Sequence, residues 1–459
     1  LETFDDIVLG GGKGGKSLAM ALGPAGRKVA LIERGQIGGS CINVACIPTK
    51  TMVASAKLIE SLSRAKQFGI DVNHFEPKLA GVIERKNRVV QEMVDTHWKL
   101  FTSTPNMELI VGEAKFVGPK ELEVELADGG NRRLSAERIF INSGSYTTIP
   151  EISGLSEVPY LTSTSIMQLT ELPQHLVIMG GGYIALEFAQ IFARLGSRVS
   201  VLLRGTRFLP REDADIADAI MELLIEEKIE FLPNSNVYSV ARGSDNSIEL
   251  TLATGDGAEK LQCSHLLLAI GRTPNTANLN LSAAGVATND DGSIKVNGML
   301  ETNVKGLWAI GDCNGGPLFT HVSWDDYRII KENVINGGNR STDERLVPYT
   351  LFIDPELGRV GMTEEQARKR GIEILVAKIP AQRIPRAVTS GEPKGVLKAI
   401  VDKSTEKILG CSLLCHSAGE VMSVVQVAML GGLTYKQVRD TIFTHPTMAE
   451  SLNLLFATI

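Results

Sequence analysis

The 459-residue chain has no run of basic residues, and its formal net charge is −6. Nucleic acids and anionic membrane surfaces are held by concentrated positive charge, so neither is expected as a partner. Apolar stretches of membrane-spanning length are missing. The first residues, Leu1-Glu2-Thr3-Phe4-Asp5-Asp6, show neither a basic n-region nor a signal-peptide core, which predicts a cytoplasmic protein. There are no low-complexity segments and no long linkers. Cysteine is scarce: Cys41, Cys46, Cys263, Cys313, Cys411 and Cys415 are all there is, too few for a disulfide scaffold in a chain this long. The length exceeds what one core supports, so roughly two to four domains are expected.

Against this background one stretch stands out: Gly38-Gly39-Ser40-Cys41-Ile42-Asn43-Val44-Ala45-Cys46-Ile47-Pro48-Thr49-Lys50. Two cysteines stand five positions apart just after a glycine-rich motif. In a reducing compartment a close pair points to catalysis or metal binding rather than to a structural bridge.

The glycine-rich motif is a βαβ signature. Ile7-Val8-Leu9 reads as a buried strand, Gly10 to Gly15 as a turn, Lys16 to about Leu22 as a small-residue helix, and Val29 to Glu33 as the next strand. Gly10, Gly12 and Gly15 occupy the three fingerprint positions, and Glu33 follows at the distance of a ribose-binding acid. Glycines there let a pyrophosphate approach the backbone at a helix N-terminus.

A second unit repeats the pattern. His175 to Met179 is the strand, Gly180-Gly181-Gly182-Tyr183-Ile184-Ala185-Leu186-Glu187 the turn and helix start, and Arg198 to Leu203 the following strand. Two units imply two nucleotides. Here no acid ends the second strand; Leu203 stands there, followed by Arg204 and Arg207. An acid would repel a 2′-phosphate and an arginine would bind it, so NADPH is expected over NADH. Ala185 at the third glycine position fits that choice.

Thr51 to Trp98 reads as two amphipathic helices around Asp71-Val72-Asn73. Arg138 to Ser145, Leu266 to Asn275 and Leu307 to Asp312 read as strands ending in turns, and a helix starts at Thr320. From Val347 the pattern changes. Strands at Ile374–Ala377, Val396–Val401 and Lys407–Leu414 surround helices at Thr363–Arg370 and Gly419–Leu430, an α+β domain without a nucleotide fingerprint.

Together these motifs resemble the two-dinucleotide flavoprotein disulfide reductases: glutathione reductase, dihydrolipoamide dehydrogenase and mercuric reductase. The resemblance runs over essentially the whole chain. It implies an α/β fold of two Rossmann-like dinucleotide-binding domains, for FAD and NAD(P)H, plus a C-terminal α+β dimerisation domain. The boundaries expected are 1–149 for the first part of the FAD domain, 150–275 for the NAD(P)H domain, 276–345 for the second part of the FAD domain and 346–459 for the dimerisation domain. By the same resemblance Gly10, Gly12, Gly15, Glu33, Gly144, Asp312 and Thr320 would bind FAD. Gly180, Gly182, Tyr183, Ala185, Arg204, Arg207 and Gly271 would bind NADPH, Tyr183 as a gate to the nicotinamide pocket. His321 would help shape the flavin pocket. Cys46 would be the flavin-side thiolate of a redox-active disulfide, and Cys41 the thiol that exchanges with substrate. Lys50 and Glu187 match an ion pair at the reactive flavin edge. Phe443-Thr444-His445-Pro446-Thr447-Met448-Ala449-Glu450 matches an acid–base dyad, His445 with Glu450, that serves the redox pair of the other subunit, so a homodimer with shared sites is implied. A thiolate nucleophile needs its proton removed and returned, and a carboxylate-oriented histidine suits that task.

Within the family the text is most similar to the bacterial reactive-chlorine-resistance reductases, through Lys13 and Lys16, Phe208 to Asp213, Asp325 to Ile329, Arg359 to Glu365 and Leu413 to Cys415. That resemblance implies defence against oxidants such as hypothiocyanous acid, and copper(II) reduction. Three departures narrow the reading. Ala45 replaces the glycine usual before the second cysteine. Leu203-Arg204 replaces the acid of NADH-using relatives. No cysteine follows Cys415, where mercuric reductases carry a metal-capturing pair. The first helix also lacks the arginines that glutathione reductases use for the peptide carboxylate.

The expected activity is therefore an NADPH-dependent flavin disulfide oxidoreductase acting on a small-molecule disulfide or reactive oxidant. Reduction of Cu(II) or Hg(II) is the alternative enzyme, and a flavin-binding redox sensor the non-enzymatic one. Cys263, Cys411 and Cys415 are expected to pack in cores, no resident metal is expected, and His74, His97, His175 and His265 are read as structural.

Overall fold

The computed structural model describes residues 1–254, 257–343 and 345–459. Its first sheet is built from strands whose buried faces are continuous: Val29–Glu33 is buried at every position, as a strand covered on both sides must be. Met107–Gly118, Val29–Glu33, Glu2–Leu9, Asn131–Ile141 and Leu307–Ala309 lie side by side in parallel. The far ends of the two longest strands pair with Glu121–Leu126 in an antiparallel meander. Helix Lys13–Leu22 covers one face, pressing Leu18, Ala19 and Leu22 into the core with Val8, Leu31 and Phe140.

The second sheet is also parallel, in the order Glu230–Leu232, Arg198–Leu202, His175–Met179, His265–Leu268, Tyr160–Leu161. Helix Tyr183–Leu195 is its counterpart of the first glycine-loop helix and is buried along most of its length. An antiparallel three-stranded sheet, 236–263, extends this unit; nothing in the nucleotide motifs announces it. A small ribbon, Ser145–Thr147 against Arg272–Pro274, carries the chain out of the first unit and back.

The C-terminal unit is an antiparallel sheet ordered Tyr349–Leu351, Glu356–Gly361, Ile408–Cys415, Val396–Asp402, Ile374–Pro380. Helix Ala418–Leu430 packs on it through Val421, Met422 and Val425. The two helices expected on either side of Asp71–Asn73 are Cys46–Ser63 and Leu79–Ser103. The former leans on the second unit, with Met52 and Ala56 sharing a core with Leu186 and Phe188. Among the described residues no helix is long and apolar enough to cross a membrane.

Candidate active site

Both glycine loops sit where a parallel sheet opens. Gly10 follows the strand Glu2–Leu9 and Asn142 follows its neighbour, so the loop meets the adjacent strand end, the usual ligand crevice of doubly wound sheets. Gly10 has φ +101°, and a Cβ there would lie 2.3 Å from the Asn142 carbonyl oxygen. A Cβ on Gly15 would lie 2.2 Å from the Gly10 carbonyl oxygen. Asn142 ties the loop down: its Oδ1 accepts from Gly15 N at 2.9 Å and its Nδ2 donates to the Ile310 carbonyl at 2.7 Å. The second loop repeats the device, with Gly180 at φ +114° and a Cβ there 2.4 Å from the Ala269 carbonyl oxygen.

The two loops open into one cavity of about 1740 Å³. Gly12, Glu33, Gly144, Asp312 and Thr320 line one part of it; Gly182, Tyr183, Arg204, Arg207 and Gly271 line the other; Cys41, Cys46, Lys50 and Glu187 lie on its wall as well. Gly15 and Ala185 are buried behind the loops rather than lining the cavity. Residues of this chain suit two nucleotides. The helices beginning at Lys13 and Tyr183 both start after an uncapped glycine at the cavity wall, so each presents first-turn N–H groups and the positive end of its dipole. Glu33 is buried and already receives Gly11 N at 2.8 Å on Oε2, with Gly35 N and Gln36 N at 3.1 Å on Oε1. Two acceptor sites per oxygen leave one on Oε2, enough for a ribose hydroxyl. In the second unit Leu203 is buried where the acid would stand, and Arg204 and Arg207 are exposed with no acidic partner among the described residues.

Asp312 accepts a hydrogen bond from the Ser145 hydroxyl, and Arg272 stands 3.9 Å from it. His321 donates from Nε2 to the Pro348 carbonyl at 2.7 Å and stacks on Phe319.

Cys46 is the first residue of helix Cys46–Ser63, and the short turn Ser40–Asn43 carries Cys41 over it. Ala45 has φ −138°, outside the left-handed region, so this position makes no demand for glycine. Both cysteines are partly buried free thiols hydrogen-bonded to each other. They are not equivalent. The hydrogen bond from Cys41, a second from Thr320 and the nearby Lys50 ammonium push Cys46 down to about 6 against burial and Glu187. The Thr320 hydroxyl is 3.2 Å from Cys46 Sγ. The same partnership and burial push Cys41 up. Thiolate character thus concentrates on Cys46, at a helix N-terminus that favours it.

Lys50 lies one turn on from Cys46 and donates to Glu187 Oε2 at 2.7 Å, across to the second unit. Glu187 is buried, its other oxygen held by Phe352 N at 3.0 Å.

His445 and Glu450 are not in this cavity. They form their own pair, Nδ1–H of the histidine shared between both carboxylate oxygens at 2.9 Å, with the imidazole 65% exposed. Nε2 is left to face outward. Ile442, three residues before, is 98% exposed. Two residues that organise the site were not singled out from the sequence, Asn142 and Glu212. Asn142 directly follows a strand predicted to end in a turn, which was the available signal.

Comparison with known proteins agrees with this geometry. The family described as pyridine nucleotide-disulphide oxidoreductase matches residues 4–326, and its dimerisation domain matches 347–455. A probable pyridine nucleotide-disulfide oxidoreductase of Escherichia coli K12, RclA, is 42% identical over 100% of both chains. A mercuric reductase of Lysinibacillus sphaericus is 35% identical over 99% of this chain and 82% of its own. A solved Cu(II) complex of the HOCl-induced flavoprotein disulfide reductase RclA from Escherichia coli superposes with a TM-score of 0.92 at 41% identity, covering 100% of this chain and 99% of the other.

Proposed function

The chain belongs to the pyridine nucleotide-disulphide oxidoreductases, homodimeric flavoproteins that use FAD and NAD(P)H, and on that premise we propose that it is an NADPH-dependent reductase of small disulfides or reactive oxidants. FAD, when bound, supplies a two-electron relay between the nicotinamide and the Cys41–Cys46 disulfide. The observation that carries the reading is the close pair at a helix start beside Thr320 and Lys50: the hydrogen bond from Cys41, then Thr320 and Lys50, favour the thiolate on Cys46, and burial beside it favours the thiol on Cys41.

The protein steps follow from that inequality. The partner subunit's His445, fixed by its glutamate, takes the Cys41 proton. The Cys41 thiolate attacks a substrate sulfur, forming a mixed disulfide and releasing a thiolate that is protonated by the histidine. Cys46 then attacks Cys41 Sγ, restoring the internal disulfide and releasing the second thiolate. Two electrons pass from the dithiol to the substrate disulfide, which leaves as one thiol and one thiolate. Sharing across subunits is supported by the exposed Nε2 face of His445 and its absence from the cavity of its own chain. The NADPH preference is supported by Arg204 and Arg207 beside buried Leu203.

Mixing Cys41→Ser and His445→Ala chains tests the sharing. Heterodimers contain one site with both groups intact, so activity returns from two inactive parents; a site built within one chain regains nothing. Screening NADPH oxidation against disulfides, hypothiocyanous acid, Cu(II) and Hg(II), and repeating it with NADH, tests the substrate class. A metal-ion reductase is the second reading, favoured by the Cu(II) complex of the similar Escherichia coli protein. Turnover with Cu(II) and none with any sulfur or oxidant acceptor would replace the first reading. Nucleotide binding without steady turnover on any acceptor would mark a sensor instead.

A further inference from the structure

Glu212 is buried and takes no part in the chemistry above. It lies between strand Arg198–Leu202 and helix Ala214–Glu226, with its side chain wholly inaccessible. One oxygen, Oε1, accepts from two phenols, Tyr183 at 2.9 Å and Tyr349 at 2.7 Å. Tyr183 is the first residue of the second glycine-loop helix and faces the cavity; Tyr349 belongs to the C-terminal sheet. The other oxygen, Oε2, lies 3.4 Å from the buried Nε of Arg359 on that same sheet, and neither atom completes a hydrogen bond among the described residues. The rings touch in series: Tyr183 lies tilted against Tyr349 with centroids 5.4 Å apart, and Tyr349 stacks on Phe319 at 5.6 Å. Phe319 precedes Thr320, the residue that touches Cys46.

The chemistry of this cluster is directional. Burial and the Glu212 carboxylate push both phenols up, so both remain donors. A carboxylate oxygen offers two acceptor sites, and Oε1 has both filled. Hydrogen bonds to a charged acceptor in a dry environment are the strong ones, so Tyr183 is held firmly in its present place. Oε2 and Arg359 Nε stand close with a contact still to be made.

We propose that Glu212 is a positioning residue that latches Tyr183 across the nicotinamide end of the cavity, letting the tyrosine go and closing on Arg359 when a nicotinamide enters. This rests on the reading that Tyr183 borders the nicotinamide site. Entry of the nucleotide breaks the Tyr183–Glu212 hydrogen bond, and the freed carboxylate completes its contact with Arg359. Nucleotide affinity is thereby tied to the C-terminal sheet, which carries Tyr349 and Arg359.

The test is the dissociation constant of NADP⁺ for the oxidised holoenzyme, measured by calorimetry. Tyr183→Phe removes only the latching hydroxyl, and Glu212→Gln only the acceptor's charge. Each is expected to tighten NADP⁺ by about tenfold, the scale of one charge-assisted hydrogen bond no longer broken on entry. The double variant should tighten it no further than either alone, since both remove one interaction. Tyr183→Phe alone decides the matter if Glu212→Gln does not fold. Unchanged affinity in Tyr183→Phe, or additive effects in the double variant, overturns the latch. Tyr183→Ala separates the two levels. A changed NADP⁺ affinity there beside an unchanged one in Tyr183→Phe sinks the latch and leaves the site reading standing, whereas an unchanged affinity in Tyr183→Ala overturns both.

Discussion

The two nucleotide units use the same backbone and surround it with opposite side chains. Gly10 and Gly180 both take left-handed conformations against the carbonyl of a neighbouring strand end. One step on, they diverge. Gly11 donates to the Glu33 carboxylate, whereas a Cβ on Gly181 would lie 2.5 Å from the Leu203 side chain and 2.8 Å from Phe208. The first loop is therefore braced by an acid with one acceptor site to spare; the second is braced by apolar packing, with Arg204 and Arg207 exposed beside it. The third glycine position divides them again. Gly15 has no space for a methyl group, while Ala185 buries one at the equivalent place. In the first unit the helix start lies against the turn and Asn142 with no room for the methyl that the second unit buries. The lesson is that the turn geometry is the shared requirement, and the third position and the acid are separate choices.

Filling the third glycine position of the first unit breaks the comparison most severely. Gly15→Ala drives a Cβ into the Gly10 carbonyl, and overpacking of that kind costs about 3 kcal/mol. Urea unfolding should show that loss, and the purified protein should carry little flavin absorbance at 450 nm.

Arg204→Ala combined with Arg207→Ala sharpens the contrast in charge recognition. KM for NADPH should rise about tenfold, the equivalent of one charge-assisted contact, while KM for NADH stays put. Equal rises for both nucleotides would mean that these arginines do not read a 2′-phosphate.

The bridge between the units is next. Lys50→Met removes a cation that helps depress Cys46, so that thiol should move up toward the ordinary range. The sign is fixed by linkage. Cys46 is lowered in the folded protein to about 6, below an unfolded thiol at about 8.5. Its contribution to the stability of the reduced protein is thus complete above the unfolded value and disappears as pH falls through about 6. Thiolate absorbance at 240 nm, followed against pH in the reduced protein, should fall through that region in wild type and at higher pH in Lys50→Met.

Ala185→Gly is the gentlest change. It removes a methyl that the second unit accommodates and adds glycine to a helix, so a loss of about 1 kcal/mol is expected with nucleotide affinity preserved. Thermal unfolding and NADP⁺ titration check the two halves of that statement.

Much of this was legible in the sequence because it depends on local backbone requirements. Gly10 and Gly180 are read from spacing, and the structure gives each the positive φ that the motif needs. The helix expected from Thr51 begins earlier, at Cys46, so the cysteine's place in its first turn was not read from the sequence. The Lys50–Glu187 ion pair came from resemblance, since 137 residues separate its members and no local pattern joins them. Asn142 and Glu212 escaped for the same reason. Asn142 works by reaching from one strand end to the next loop, and Glu212 by gathering two tyrosines from different domains. The antiparallel extension at 236–263 escaped differently: its alternation is ordinary for a hairpin and carries no chemistry. Ala45, noted as a departure from the glycine customary there, has φ −138°, outside the left-handed region that favours glycine.

Cys46 and Lys50 are separated by one turn of a single helix, a spacing of about 6 Å along its axis. They cannot be adjusted independently. Any fraying of that first turn carries the sulfur away from the helix dipole and the ammonium away from Glu187 in the same motion. The winding of four residues thus sets the thiolate character of Cys46 and the Lys50–Glu187 ion pair together, as one mechanical variable.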